Sequence, residues 1–131
     1  MVADASVVAN AIGDDAADGA AARAALRVES DLAAPDLVDV ETVSVLRKRW
    51  HAGDLTGRRF RAAVTDLGDL AITRHPTLPY MPRAYELRSN VTPYDAADIG
   101  LAEALGCALL TADARLAAAP GTRCQILLVR S

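Results

Sequence analysis

Short apolar runs alternate with longer stretches in which apolar residues recur every three to four positions, the pattern of strands interleaved with helices. Met1-Val2-Ala3 reads as a first strand, Asp4-Ala5-Ser6 as a turn, and Val7 to Ile12 as helix-compatible. A second, Ala-rich helix is predicted from Asp14 to about Glu29, with Asp15 and Asp18 early and Arg23 and Arg27 late, as the helix dipole favours. Leu32-Ala33-Ala34 before Pro35 reads as a short buried strand. Asp36 is the expected N-cap of a helix from Leu37 to about Trp50, closed by Gly53. Leu55 to Leu67 follows as an amphipathic helix with Gly68 as its stop, and Leu70 to Thr73 as a third strand.

His75 to Pro79 reads as a loop, because proline cannot donate to a sheet ladder. A short helix is predicted over Pro82 to Arg88. Thr92-Pro93-Tyr94-Asp95 carries a helix start, with Thr92 as N-cap and Pro93 at the first position, and Gly106 closes that helix after Leu105. Cys107 to Thr111 is an apolar strand, Asp113 to Ala119 a helical turn, and Gln125 to Val129 a last strand. Strands apolar on both faces and separated by helices predict an α/β fold: a three-layer α/β/α sandwich on a short parallel sheet. At 131 residues the chain reads as a single domain, 1–131, able to bury about two thirds of its unfolded surface.

Composition narrows the chemistry. Aromatic residues are 4% against 28 Ala, so a core of Val, Leu, Ile and Ala on close-packed helices is expected, and a stacking platform for bases is not. The net charge of −3 hides an asymmetry: nine basic residues and four acids lie between Arg47 and Arg88. Cys107 and Cys124 cannot form a disulfide framework and read as small buried hydrophobes with reduced thiols. With neither a leader-like opening nor a long apolar run, the expectation is a cytoplasmic protein without membrane partners.

The informative residues are acids at positions where a bland fold would place Leu or Val. On a wheel of about 100° per residue, Glu41 falls roughly 40° from Leu37, on the same side as Val38 and Val45. Asp95 and Asp98 lie one turn apart on the apolar stripe of their helix. Asp4 and Asp113 follow strands, at the carboxyl edge where open α/β sheets carry their sites. Two carboxylates about 4 Å apart repel by on the order of 4 kcal/mol at an effective dielectric near 20. Against a total stability of roughly 5–15 kcal/mol, several such pairs require a cation. Oxygen-only ligands suit Mg²⁺ or Mn²⁺. Setting the five acids aside leaves 14 basic residues against 12 acidic, so an acidic pocket lies in a mildly basic surround, as a metal-dependent enzyme acting on a polyanion needs.

The segments V-A-D-A-S, P-D-L-V-D-V-E and T-P-Y-D-A-A-D-I-G-L-A-E-A-L-G-C-A-L-L-T-A-D-A-R-L together resemble the PIN-domain family, in particular the VapC-type ribonuclease toxins of bacterial toxin–antitoxin pairs. The resemblance runs from Met1 to about Val129. It implies Asp4, Glu41, Asp95 and Asp113 as catalytic, metal-binding acids, with Ser6 and Thr111 as hydroxyl support. It also implies a homodimer, an antitoxin covering the active site in a larger hetero-oligomer, and cleavage of structured RNA. Asp98 departs from the family pattern, where that place more often holds an aromatic or aliphatic residue; it is a fifth, outer-sphere acid or a residue at the pocket rim.

The remaining charged positions have plainer readings. Asp36 and Asp39 read as helix-start residues and Asp14, Asp15 and Asp18 likewise, while Arg47, Lys48, Arg49, Arg58 and Arg59 are candidate RNA contacts that could equally be solvated faces. His51 and His75 have no partner at ligand spacing, and Trp50 reads as a core or interface anchor. Two rival functions carry different expectations: a receiver-like phosphoacceptor domain, which needs an acidic pair near the first strand and a late Lys, and a PIN fold kept only for binding.

Overall fold

The computed structural model describes residues 1–28 and 31–131, and its centre is a five-stranded, wholly parallel sheet. In chain order the elements are β1 (Val2–Ala3), α1 (Ala5–Gly13), α2 (Ala17–Arg27), β2 (Leu32–Pro35), α3 (Val38–His51), α4 (Gly57–Asp69) and β3 (Ile72–His75). After them come α5 (Met81–Glu86), α6 (Pro93–Leu105), β4 (Leu109–Thr111), α7 (Ala114–Ala117) and β5 (Ile126–Leu128). The strands lie in the order β3-β2-β1-β4-β5.

Side chains alternate across each strand and the three central strands are buried on both faces, so the sheet divides the core in two. Ala3, Ala34, Leu110 and Ile72 pack under α1 to α4 with Val7, Val8, Leu46, Ala63 and Leu67. Val2, Ala33, Leu109 and Ile126 pack under α5, α6 and α7 with Ala84, Ile99, Leu101 and Leu116. These are the three layers expected.

Several boundaries differ from the sequence reading, each for a local reason. Asp36 does not cap α3: its amide donates to the His75 carbonyl (2.7 Å) and extends the β2–β3 ladder, so α3 starts behind Leu37 without a side-chain cap. Gly68 does not stop α4, which runs on to Asp69. Arg74 closes that helix instead, donating to the carbonyls of Leu67, Leu70 and Ile72 while gripping Asp39 of α3 at 2.9 Å. The third strand is thereby moved to Ile72–His75. A 3-10 turn at Leu78–Tyr80 occupies part of the expected loop. Thr92 and Gly106 behave as read: the Thr92 hydroxyl accepts from the Asp95 amide (3.2 Å), and Gly106 takes φ +64°. The predicted end of the second helix at Glu29 lies outside the described residues.

The fold sets the site. β1 sends its connections toward β2 and β3, whereas β4 lies on its other side, so the strand order reverses between β1 and β4. In an open α/β sheet the crevice at the carboxyl ends of two such strands is where ligands bind. Asp4 leaves β1 at that point, and Thr111 ends β4 beside it.

Candidate active site

Asp4 caps α1, with its Oδ1 accepting from the Val7 amide (3.1 Å) and the Ser6 hydroxyl (2.5 Å). Its Oδ2 accepts from the Thr111 hydroxyl. Both hydroxyls are themselves held: Ser6 Oγ accepts from the Ala112 amide (2.9 Å) and Thr111 Oγ1 from the Asp113 amide (3.0 Å). The backbone leaving β4 therefore orients two hydroxyls, and these orient one buried carboxylate at the end of β1.

Glu41 arrives from the first turn of α3, Asp95 and Asp98 from successive turns of α6, and Asp113 from the N-cap of α7, where its carboxylate accepts from the Arg115 amide (2.8 Å). All five acids line one cavity of about 430 Å³, together with Ser6, Val40, Ser44, Val45, Lys48 and Tyr94. Asp98 is only 4% exposed, so it is not a rim residue, and no donor among the described residues reaches it.

The pocket is short of positive charge. Burial, joined by the fields of Asp95 and Asp4, pushes the Glu41 carboxyl up to about 7. Burial also holds Asp4 above the usual carboxylate range despite the hydrogen bonds from Ser6 and Thr111 that favour its ionised form. Asp95 is raised by burial, with Asp4 and Asp113 adding to it and Thr92 and Arg115 opposing. Asp98 lies well above, chiefly because it is desolvated and then because Asp4, Glu41 and Asp95 face it. The nearby Arg115 side chain is 95% exposed and stands 3.8 Å from Asp113, too solvated to neutralise five acids.

A hard divalent cation fits this donor set, which is oxygen-only, acidic and partly desolvated. Among the described residues no group of three or more His, Cys, Asp or Glu side chains is arranged, as it stands, to hold an ion. Facing carboxylates without a counter-ion repel, so metal binding at this site requires them to draw inward.

The basic candidates divide. Lys48 lines the acidic cavity. Arg49 and Arg59 line a neighbouring cleft of about 990 Å³ that shares Ser6 with it. Arg49 donates to the side-chain Oδ1 of Asn10 (2.5 Å), and Arg59 forms a two-pronged pair with Asp15 (3.0 and 3.1 Å). Arg47 and Arg58 are exposed and line neither cavity. Trp50 is 44% exposed, its ring beside His51 and Phe60, and so is not a core residue. Asn10, Tyr94 and Val40 were not singled out in the sequence. Asn10 lies one turn beyond Ser6 on α1, a spacing that puts the two on one face and Asn10 in the neighbouring cleft.

Over residues 1–121 the sequence matches the PIN domain family. The chain belongs to that family. It is 41% identical over 130 residues to the protein named ribonuclease VapC1 of Mycobacterium tuberculosis, a match spanning 98% of this chain and 97% of that one. Ribonuclease VapC12 of the same organism is 37% identical over 111 residues, 85% of each chain. The crystal structure of M. tuberculosis VapC20, described as a toxin that cleaves the sarcin–ricin loop, superposes with a TM-score of 0.72 at 17% identity, covering 99% of this chain and 98% of that one. The receiver-like alternative gains nothing: its sheet order is 2-1-3-4-5, whereas this PIN domain has 3-2-1-4-5.

Proposed function

We propose that this PIN domain is a metal-dependent endoribonuclease toxin, hydrolysing phosphodiester bonds in structured RNA and neutralised by a cognate antitoxin. The reading extends to a cytoplasmic homodimer that forms a larger hetero-oligomer with the antitoxin. One observation carries it: carboxylates from β1, α3, α6 and α7 face a single cavity at the reversal point of the sheet. The names of its VapC relatives support the same chemistry.

Asp4, Glu41, Asp95 and Asp113 would hold Mg²⁺, or Mn²⁺, with Asp98 behind them as a fifth acid. Such an ion supplies Lewis acidity and an activated water, so that no protein nucleophile is needed. Ser6 and Thr111 position Asp4, because each spends its acceptor on a β4-exit amide and points its proton at the carboxylate. Lys48 draws the scissile phosphate toward the acids, and Arg49 and Arg59 offer charge to the flanking backbone along the adjoining cleft. Arg59 must exchange Asp15 for phosphate to do so. Arg47 and Arg58 contribute only to the general field.

Purified protein with Mg²⁺ or Mn²⁺ should cut structured RNA, and chelation should stop it. Asp95→Asn keeps the Thr92 cap, which the backbone makes, and should retain the fold by circular dichroism while lowering the rate by orders of magnitude. A variant cutting as fast as the parent would overturn the assignment.

A further inference from the structure

Apart from the acidic site and the cleft beside it, a further cavity of about 490 Å³ is lined by Ala102, Glu103, Cys107, Arg123, Cys124 and Gln125 among others. Cys107 and Cys124 are both free and half-buried, and both pack on the same apolar cluster as Leu109 and Ile126. Leu109 and Ile126 are paired across β4 and β5, and each cysteine lies two residues upstream of its member of that pair. Both cysteines stand just ahead of their strands, since β4 begins at Leu109 and β5 at Ile126. The Leu109 amide donates to the Gln125 carbonyl (2.9 Å), one of the ladder bonds that make the Leu109–Ile126 pair. The two side chains open onto the same cavity, and Cys107 is among the groups whose field acts on the Cys124 thiol.

The two backbones are also fixed in place. The Cys107 amide donates to the Ala102 carbonyl (3.0 Å) at the turn that Gly106 makes out of α6. On the other side the Arg123 amide donates to Glu103 (2.7 Å). Arg83 holds Glu103 through two bonds (2.8 and 3.1 Å) and reaches the Gly121 carbonyl (2.8 Å). Cys124 therefore sits between two anchors, one on α6 and one on β4, and cannot swing away from Cys107 without breaking them.

We propose that Cys107 and Cys124 form a dithiol site that two-electron oxidants of the hydroperoxide class close to an intramolecular disulfide. One thiolate attacks the peroxide oxygen, the O–O bond breaks, and a sulfenic acid and water (from hydrogen peroxide) result. The second thiol attacks that sulfur and a further water leaves, so two thiols and one peroxide give one disulfide and two waters. A dithiol reductant reverses the step. The bond ties the edge strand β5 to β4, whose far end carries Thr111 and, beyond it, Asp113. Disulfides in reducing compartments are commonly of this transient kind.

The test is oxidation of the native protein with hydrogen peroxide, followed by thiol titration, intact mass and peptide mapping. Both thiols should disappear from the monomer together, with the mass lowered by two hydrogens and the peptides bearing 107 and 124 linked, and dithiothreitol should restore both. Cys124→Ser and Cys107→Ser should each lose this closure and instead form over-oxidised monomer or intermolecular dimer. Two persisting thiols, over-oxidation of the parent without a cross-link, or a cross-link only between molecules would each overturn the proposal.

Discussion

At the scale of the residue, Glu41 shows how a sequence position becomes an electrostatic state. It lies on the apolar side of α3 and meets the fields of Asp95 and Asp4, so its carboxyl takes up a proton near pH 7 instead of near 4.5. Because the folded state then binds more protons than the unfolded state across that interval, its contribution to stability falls as pH rises from about 4.5 through about 7. Metal-free protein should accordingly melt lower at pH 8 than at pH 5.5 from this group, and Glu41→Gln should narrow the gap. Melting temperatures in chelator at the two pH values check this, and an unchanged gap would refute it. Glu41, Asp95 and Asp98 were legible in the sequence because each falls on the apolar side of its helix, and Asp4 and Asp113 because each follows an apolar strand at the carboxyl edge. The pairing of Arg59 with Asp15 was not, since nothing in a sequence separation of 44 residues marks two surface charges as partners. Asp98 was half legible: periodicity placed it inward, but only the packing of α6 decides between core and rim.

At the scale of the element, the differences arise where tertiary contacts override local signals. Asp36 is a good cap by type, yet it still belongs to the β2–β3 ladder through its bond to the His75 carbonyl and so lies one residue ahead of Leu37, where α3 starts. Gly68 has no atom within 4 Å of where a Cβ would stand, so nothing forces the chain to turn there, and Arg74 does the closing from a strand away. Gly19 is the reverse case. It sits in the first turn of α2 with a would-be Cβ only 1.7 Å from the Asp14 carbonyl oxygen and 2.9 Å from that of Asn10, so the α1–α2 corner requires a residue without a side chain. Gly19→Ala gains about 1 kcal/mol of helix propensity at most, whereas forcing an atom into packed backbone costs roughly 1–3 kcal/mol. The steric term should win, lowering the urea midpoint with little change in its slope. A midpoint at or above the parent's would show that the corner relaxes without cost.

At the scale of the molecule, the charge distribution links stability to ligand. The net charge is −3, yet five acids converge on one cavity and the remainder is mildly basic, so repulsion is concentrated where the sheet order reverses. A divalent cation bound there removes a penalty that the folded chain alone sustains, and an unfolded chain gathers no such site. Mass action then raises stability by about 2.7 kcal/mol at a ligand concentration one hundred times Kd. For a domain of this size each kcal/mol moves Tm by roughly 3–5 °C, so saturating Mg²⁺ or Mn²⁺ should raise Tm by on the order of ten degrees over chelator. Matching the ionic strength with Na⁺ should not reproduce it, because screening acts weakly on partly buried charges. Asp95→Asn should respond in two ways at once: a higher Tm than the parent in chelator, since one repelling charge is gone, and a smaller rise with the ion, since one ligand is gone. The opposite signs separate electrostatic relief from general damage to the fold, which would lower both values. A parent protein whose Tm ignores divalent ions, or an Asp95→Asn variant that shifts as far as the parent, would break the connection between the acidic cavity and a bound cation.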